Sequence, residues 1–239
     1  MADGYLNFDT KINEAGFNKG ISKLSNIAQT GLGVVVGNIA TSAMQKIGQL
    51  GSELVAGLNE SSAAWKTFQA NMQMNGKTAD EISKIKGELK DFAEQTIYSA
   101  SDMASTYSQL EAVGTKNTTA LVKGFGGLAA AASDPTQAMK TLSQQATQMA
   151  AKPKVAWEDF KLMVEQTPAG ISAVAKTMGM STQELISNVQ EGTIATEDFF
   201  NAIAETGTNA DFTALATQYK TVGQATDGLI ETLTGQLQP

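Results

Sequence analysis

Few residues of this chain have types and spacing that could do chemistry. Two adjacent carboxylate pairs stand out, Glu158-Asp159 and Glu197-Asp198. An acid/base dyad needs both groups aimed at one point, but neighbours on a helix point in different directions. Each pair falls in the first turn of a predicted helix, where the macrodipole favours negative charge. They read as helix-start residues. The string GFGGLA at residues 124–129 formally matches the G-x-G-x-x-A turn of dinucleotide-binding proteins. That turn requires a strand before it and a helix after it within a βαβ unit. The preceding Thr119-Ala120-Leu121-Val122-Lys123 reads as helix instead, so the glycines are expected at a close helix–helix contact. Gly33 and Gly37 form a GxxxG string, a pattern that lets backbones approach closely within a chain or between copies. Lys152-Pro153-Lys154 reads as a turn carrying two solvated cations.

The absent residue types narrow the choices further. The 239 residues include no His, no Cys and no Arg. Lack of His removes the usual general base and the commonest transition-metal ligand. Lack of Cys excludes disulfides, thiolate catalysis and Cys-based metal sites. No EF-hand loop offers a carboxylate site for Ca²⁺. Serines are frequent, but with no His and no positioned Lys motif such as S-x-x-K, no hydroxyl is expected to have a general base nearby in sequence. No cofactor or metal is expected, and the chain is not expected to be an enzyme. The net charge is −7 and all 17 basic residues are Lys. A reader of phosphate backbones needs a clustered basic face, so direct nucleic-acid binding is not expected.

The elements that would position any site are helical. Hydrophobic residues make up 42%, which supports a packed core; only 6% are aromatic and 17% charged, so small side chains must do much of the packing. Residues 4–12 alternate Tyr5, Asn7, Asp9, Lys11 against Leu6, Phe8, Thr10, Ile12, the period of a short strand or extended arm. A helix is predicted over residues 14–29. Leu32, Val36, Ile39, Ala43, Ile47, Leu50, Leu54 and Leu58 then recur at spacings near three and four, a coiled-coil-like seam that could serve self-association or a partner. Its apolar start, residues 32–44, is broken by Asn38, Thr41 and Ser42 and is shorter than the roughly 20 apolar residues a membrane span needs. The start of the chain shows no secretory signal, and the chain reads as soluble when made. The pattern continues through Trp65, Phe68 and Met72 to a stop at Asn75-Gly76.

Beyond that point the punctuation is dense. Thr78 with Glu81, and Ser181 with Glu184, have capping-box spacing. Ser99 or Ser101, and Asn117 or Thr118, are candidate caps. Asp134-Pro135 places a cap before a first-turn proline, with Gln137 completing a variant box, and Thr167-Pro168 repeats the device. Thr196 starts a helix carrying Phe199, Phe200 and Ile203 to Gly207, and a last amphipathic piece spans residues 222–233. The expected fold class is all-α: a compact multi-helix domain of about ten short helices over 76–239. An N-terminal arm and helix (1–30) and a longer amphipathic helical segment (31–75) precede it.

The helix starts and stops follow an order. Thr96-Ile97-Tyr98-Ser99 leads to Ala112-Val113-Gly114 and then Leu128-Ala129-Ala130-Ala131. A glutamine-rich stretch at 144–151, the turn Lys152-Pro153-Lys154 and Trp157-Glu158-Asp159-Phe160 come next. Pro168-Ala169-Gly170-Ile171, Met178-Gly179-Met180-Ser181, Glu184-Leu185-Ile186 and Gly192-Thr193-Ile194-Ala195-Thr196 continue the set, and Thr226, Gly228 and Leu229 close it. Over roughly residues 68–233 this succession resembles the N-terminal domain of bacteriophage tail tape measure proteins. It departs from them in the proline of the basic turn and in the early position of Pro168.

The resemblance implies a structural virion protein of a long-tailed phage or prophage. It implies a role in templating tail-tube length and in genome delivery, with the tail tube protein, tail assembly chaperones and tail-end proteins as partners. It further implies a homo-oligomer, located in the tube interior and in the host cytoplasm during assembly. As one helix, 239 residues would extend about 360 Å. The many caps predict a folded terminal domain instead, with the ruler beyond it. Two other readings stay open on the residues alone. One is a generic helical adaptor or secreted helical effector; the other is a membrane-active module using residues 32–44.

Overall fold

Thr78 and Ser181 show why this chain breaks into short helices. The Thr78 Oγ1 accepts from the Glu81 amide at 3.3 Å, and the Glu81 carboxylate accepts from the Thr78 amide at 2.8 Å. Ser181 and Glu184 repeat the exchange at 3.2 and 2.8 Å. Each box satisfies amides that a helix start would otherwise leave open, so the chain can begin a new helix at little cost. Stops are equally local. Gly114 and Gly192 end their helices at φ 79° and 67°, in the left-handed region where a Cβ is disfavoured.

A computed structural model describes residues 63–217. Residues 63–74 are helical. They are followed by α1 (Ala79–Gln95), α2 (Ala100–Ala112), α3 (Thr118–Ala130), α4 (Pro135–Ala150) and α5 (Trp157–Gln166). The described chain continues with α6 (Pro168–Thr177), α7 (Thr182–Gln190), α8 (Thr196–Gly207) and α9 (Ala210–Ala216). Among the described residues this is an all-α domain of ten helical segments, and β pairing is confined to an isolated bridge between Lys154 and Ala195. The arm at 4–12, the helix at 14–29, the GxxxG string, the seam from Leu32 to Leu58 and the piece at 222–233 lie outside the described residues.

The core forms around α3, which packs against α1, α2, α4, α6, α8 and α9. Leu121, Val122, Phe125 and Leu128 are buried together with the small residues between them. A helix apolar on all sides is stable in water only when it is covered all round, and here six helices cover it. Aromatic rings mark both flanks of the core. Trp65 meets Phe68 at 5.3 Å and Phe68 meets Tyr107 at 5.7 Å, which carries the 63–74 segment into the domain. On the other flank Phe160 meets Trp157 at 6.2 Å and Phe199 at 5.6 Å, tying α5 to α8.

Several expected caps differ in detail. Asn117 precedes α3 in the left-handed region at φ 52° and makes no side-chain cap bond. In that backbone its side chain is not aimed at the first helical amides. Asp134 does cap α4, accepting from the Gln137 amide at 3.0 Å. The Gln137 carboxamide, however, bonds forward to Thr141 Oγ1 at 3.4 Å, so the box is not completed. Thr167 caps nothing with its hydroxyl, which donates back to the Met163 carbonyl at 2.9 Å. Thr167 both ends α5 and starts α6, and its backbone at φ −134° and ψ 59° is not the extended one of the working caps Thr78, Ser99 and Ser181. Thr196 starts α8 as expected, with Ala195 in the N-cap position before it. The short α9 was not anticipated; Asn209 opens it by accepting from the Phe212 amide at 3.0 Å.

Candidate functional site

The glycine string reads as a contact between backbones. An added Cβ at Gly124 would sit 2.7 Å from the Ile203 carbonyl oxygen on α8. At Gly127 it would collide with the Gly207 carbonyl, and at Gly207 with the Gly124 carbonyl. Helices α3 and α8 thus meet backbone to backbone. Gly126 faces the other way, where an added Cβ would sit 2.8 Å from the Phe92 ring. Tyr98 Oη donates to the Gly126 carbonyl at 2.7 Å. Burial pushes the Tyr98 phenol well above its ordinary range. The string therefore cradles helices and rings, as the sequence suggested, and the strand that a dinucleotide turn requires is absent from the described residues.

The carboxylate pairs separate into individual roles. Asp159 is buried and accepts from Lys152 Nζ at 2.7 Å, while Glu158 is exposed. Glu197 pairs with Lys116 at 2.9 Å on the surface, and Asp198 is exposed. No pair converges on a common point. Lys152 and Lys154 are engaged, contrary to their reading as simply solvated cations. Lys154 Nζ donates to the Thr193 carbonyl at 3.2 Å, beside the bridge to Ala195. The amides of Val155 and Thr196 donate to the carbonyls of Ile194 and Pro153 at 3.0 and 3.2 Å. The proline turn is therefore a clasp between the α4–α5 and α7–α8 connections. It forms because two loops distant in sequence meet edge to edge, which no local pattern could indicate.

Two further arrangements were not singled out from the residues. Contrary to the expectation that no such motif is present, Ser83-Lys84-Ile85-Lys86 has the S-x-x-K spacing of some nucleophilic serines. Ser83 is exposed, and the Lys86 ammonium lies 5.3 Å from the centre of the Trp65 ring, so this cation packs on an aromatic face. Glu111 joins the start of the domain to its centre. It accepts from Lys77 Nζ at 2.7 Å and from Thr118 Oγ1 at 3.0 Å. That hydrogen bond raises the Lys77 ammonium above its ordinary value. Among the described residues, no group of three or more His, Cys, Asp or Glu could hold a metal ion. No described helix is long and apolar enough to cross a membrane.

Among the described residues, a groove of about 550 Å³ lies between α2 and α4. Thr147 Oγ1 lies 3.4 Å from Gln109 Oε1 and joins the walls near their C-terminal ends. Most lining residues carry a hydroxyl or a carboxamide, yet the surface they present together with Ile97 and Met139 is mainly apolar. The Ser143 hydroxyl, in one wall, is buried without a hydrogen-bond partner. The expected seam residues Leu32, Val36, Ile39, Ala43, Ile47, Leu50, Leu54 and Leu58 are not among those described, so this groove is a surface that the residues alone did not indicate.

Polar groups that pin helices to one another, around a backbone-to-backbone core, define a helical structural module. The chain belongs to the tape measure protein family, whose model matches residues 56–238. It is accordingly a structural protein of phage tails, with a role in tail length. No curated protein and no solved structure matches the chain.

Proposed function

We propose that this chain is the N-terminal part of a tape measure protein in a long phage or prophage tail, and that residues 63–217 form its folded head, while the ruler is a different part of the protein. The observation that carries this reading is the folding back of the described helices within the family match. Stretched as one helix, the 155 described residues would span about 230 Å. Packed as here, a domain of that size has a radius of gyration of about 15 Å. A ruler must be long for its mass, and this unit is short for its mass.

In this reading the head organises one end of the tail. It meets the tail tube protein, the assembly chaperones and the tail-end proteins, inside the tube and earlier in the host cytoplasm. The protein leaves ahead of the genome and assists its delivery. The amphipathic segment 31–75 supplies the homo-oligomer, with the seam from Leu32 to Leu58 as its buried face. Electron microscopy of tails made with residues 63–217 deleted tests the division of labour. Tails that change by less than about 40 Å support it; tails shortened by about 230 Å would show that these residues are the tape. If the deletion stops assembly, small-angle scattering of the purified chain decides, since a rigid rod of about 200 Å contradicts a folded head.

A further inference from the structure

We propose that copies of this domain associate front to back, with the outer face of α5 of one copy seated in the α2–α4 groove of the next. The contact is separate from the 31–75 seam and does not depend on it. On α5, Asp159, Phe160 and Met163 are buried in the core. That leaves Glu158, Lys161, Leu162 and Glu165 on the outer side, all exposed, at the i, i+3, i+4 and i+7 spacing of one helix face. Three large apolar side chains are exposed among the described residues: Met74, Val113 and Leu162. Met74 and Val113 stand at helix ends, whereas Leu162, 41% exposed, lies within a helix between charges of both signs. An apolar knob flanked by charge is the kind of ridge that a groove between two helices accepts.

Length, charge and polarity of the groove fit that ridge. Its walls run from Ser99 to Gln109 and from Thr136 to Gln148, about 15–18 Å at the helical rise, and the ten residues of α5 span about 15 Å. The contact between Thr147 and Gln109 sets the register of the walls. Asp102 and Lys140 each stand about two turns before it, at one level on opposite walls. Neither has an ion-pair partner among the described residues. With α5 of a second copy in the groove, Lys161 meets Asp102 and Glu165 meets Lys140. Leu162 then lies on the mainly apolar surface to which Ile97 and Met139 contribute. The pairing of Lys161 with Glu165 on α5 is long at 3.7 Å and exposed, so it resists this exchange little. Helix α5 does not fill the groove of its own copy, because Phe160 and Met163 hold it in the core with its outer face turned to water. The two surfaces differ and each copy carries both, so the association runs from copy to copy into a ring or filament and does not stop at a two-fold pair.

The absence of Cys makes a direct test available. Full chains carrying one thiol each, Leu162→Cys on α5 and Ser105→Cys in the groove, are mixed under mild oxidation; Cys keeps a small apolar side chain at the knob. Leu162→Cys mixed with Gln190→Cys, an exposed position on α7 outside the groove, is the control. The disulfide between the α5 and groove positions should form about tenfold faster than the control, since docking raises the effective concentration of one thiol at the other. Equal rates overturn the proposal, because association through the 31–75 seam alone brings both pairs together alike. As a second measurement, Lys140→Glu in the groove copy should slow the cross-link, and Glu165→Lys in the α5 copy should restore it. A rate indifferent to Lys140→Glu, or unrestored by Glu165→Lys, also overturns it.

Discussion

Replacing Gly127 with Ala should destabilise the domain, although alanine is the better helix former. In a helix interior the exchange alone favours Ala by about 1 kcal/mol. At Gly127 the new methyl would collide with the Gly207 carbonyl, which belongs to the backbone of α8 and cannot swing aside as a side chain can. Relief requires α3 and α8 to move apart, which loosens Phe125, Leu128 and Ile203, all fully buried. Overpacking of a tight core costs about 1–3 kcal/mol where side chains can yield, and a contact between backbones belongs at or above the top of that range. With the propensity gain subtracted, the net loss should be about 2–4 kcal/mol. That is a large share of the roughly 5–15 kcal/mol that holds a domain together. For a chain of this size it lowers Tm by roughly 5–15 °C.

Gly87→Ala on α1 is the matched control, since nothing lies within 4 Å of its added Cβ. It should stabilise by about 0.5–1 kcal/mol. Urea unfolding followed by tryptophan fluorescence reports both variants, because both Trp residues of the chain, Trp65 and Trp157, lie in the described domain. A Gly127→Ala protein at least as stable as the parent, alongside a stabilised Gly87→Ala protein, would refute the backbone contact between α3 and α8.

Other consequences can be measured on the same protein. Burial raises the phenol pKa of Tyr98 and Tyr107, so their contribution to stability is complete below the ordinary phenol range and lost as pH rises through and above it. Absorbance titration of the folded protein should therefore be the same for Tyr98→Phe as for the parent up to pH about 10.5, and a smaller phenolate signal in the variant there would contradict the burial. Hydrogen bonds from the Thr78 and Ser181 backbone amides lower the Glu81 and Glu184 carboxyls, so the capping boxes contribute above the ordinary Glu range and fail as pH falls through the folded values. Glu81→Gln with Glu184→Gln should flatten the acid side of a Tm-versus-pH curve, and an unchanged slope would count against it. Lys152→Ala leaves Asp159 buried without its cation and should cost about 1–3 kcal/mol, with the half-exposed lysine holding the figure below that of a fully buried pair. Calorimetry showing no change would mean that the clasp does not depend on this pair.

Local features were legible in the residues. Thr78, Ser99, Asp134 and Ser181 mark helix starts and Gly114 and Gly192 mark stops, because capping involves atoms within three or four positions of each other. The stripe Met139, Leu142, Ala146 and Met149 is buried as its spacing implies. The glycines at 124–127 were legible as a contact, though not what they contact. Where the backbone or a rival partner intervened, local reasoning failed: Thr167 sits in a backbone that is not that of a cap, and Gln137 bonds Thr141 and not its own cap.

Three properties are written along the chain itself: short capped helices of an all-α fold, the lack of His, Cys and Arg, and an order of helix signals that is that of a tape measure domain. These properties depend on neighbours in the chain and on which chemistries are present at all. Packing alone sets α3 at the centre, brings Gly127 against Gly207, clasps the proline turn to Ile194 and Thr196, and leaves a groove between α2 and α4. Such relations join residues tens of positions apart. Their partners are chosen by the way amphipathic and small-residue faces close over one shared core, and that choice has no local signature.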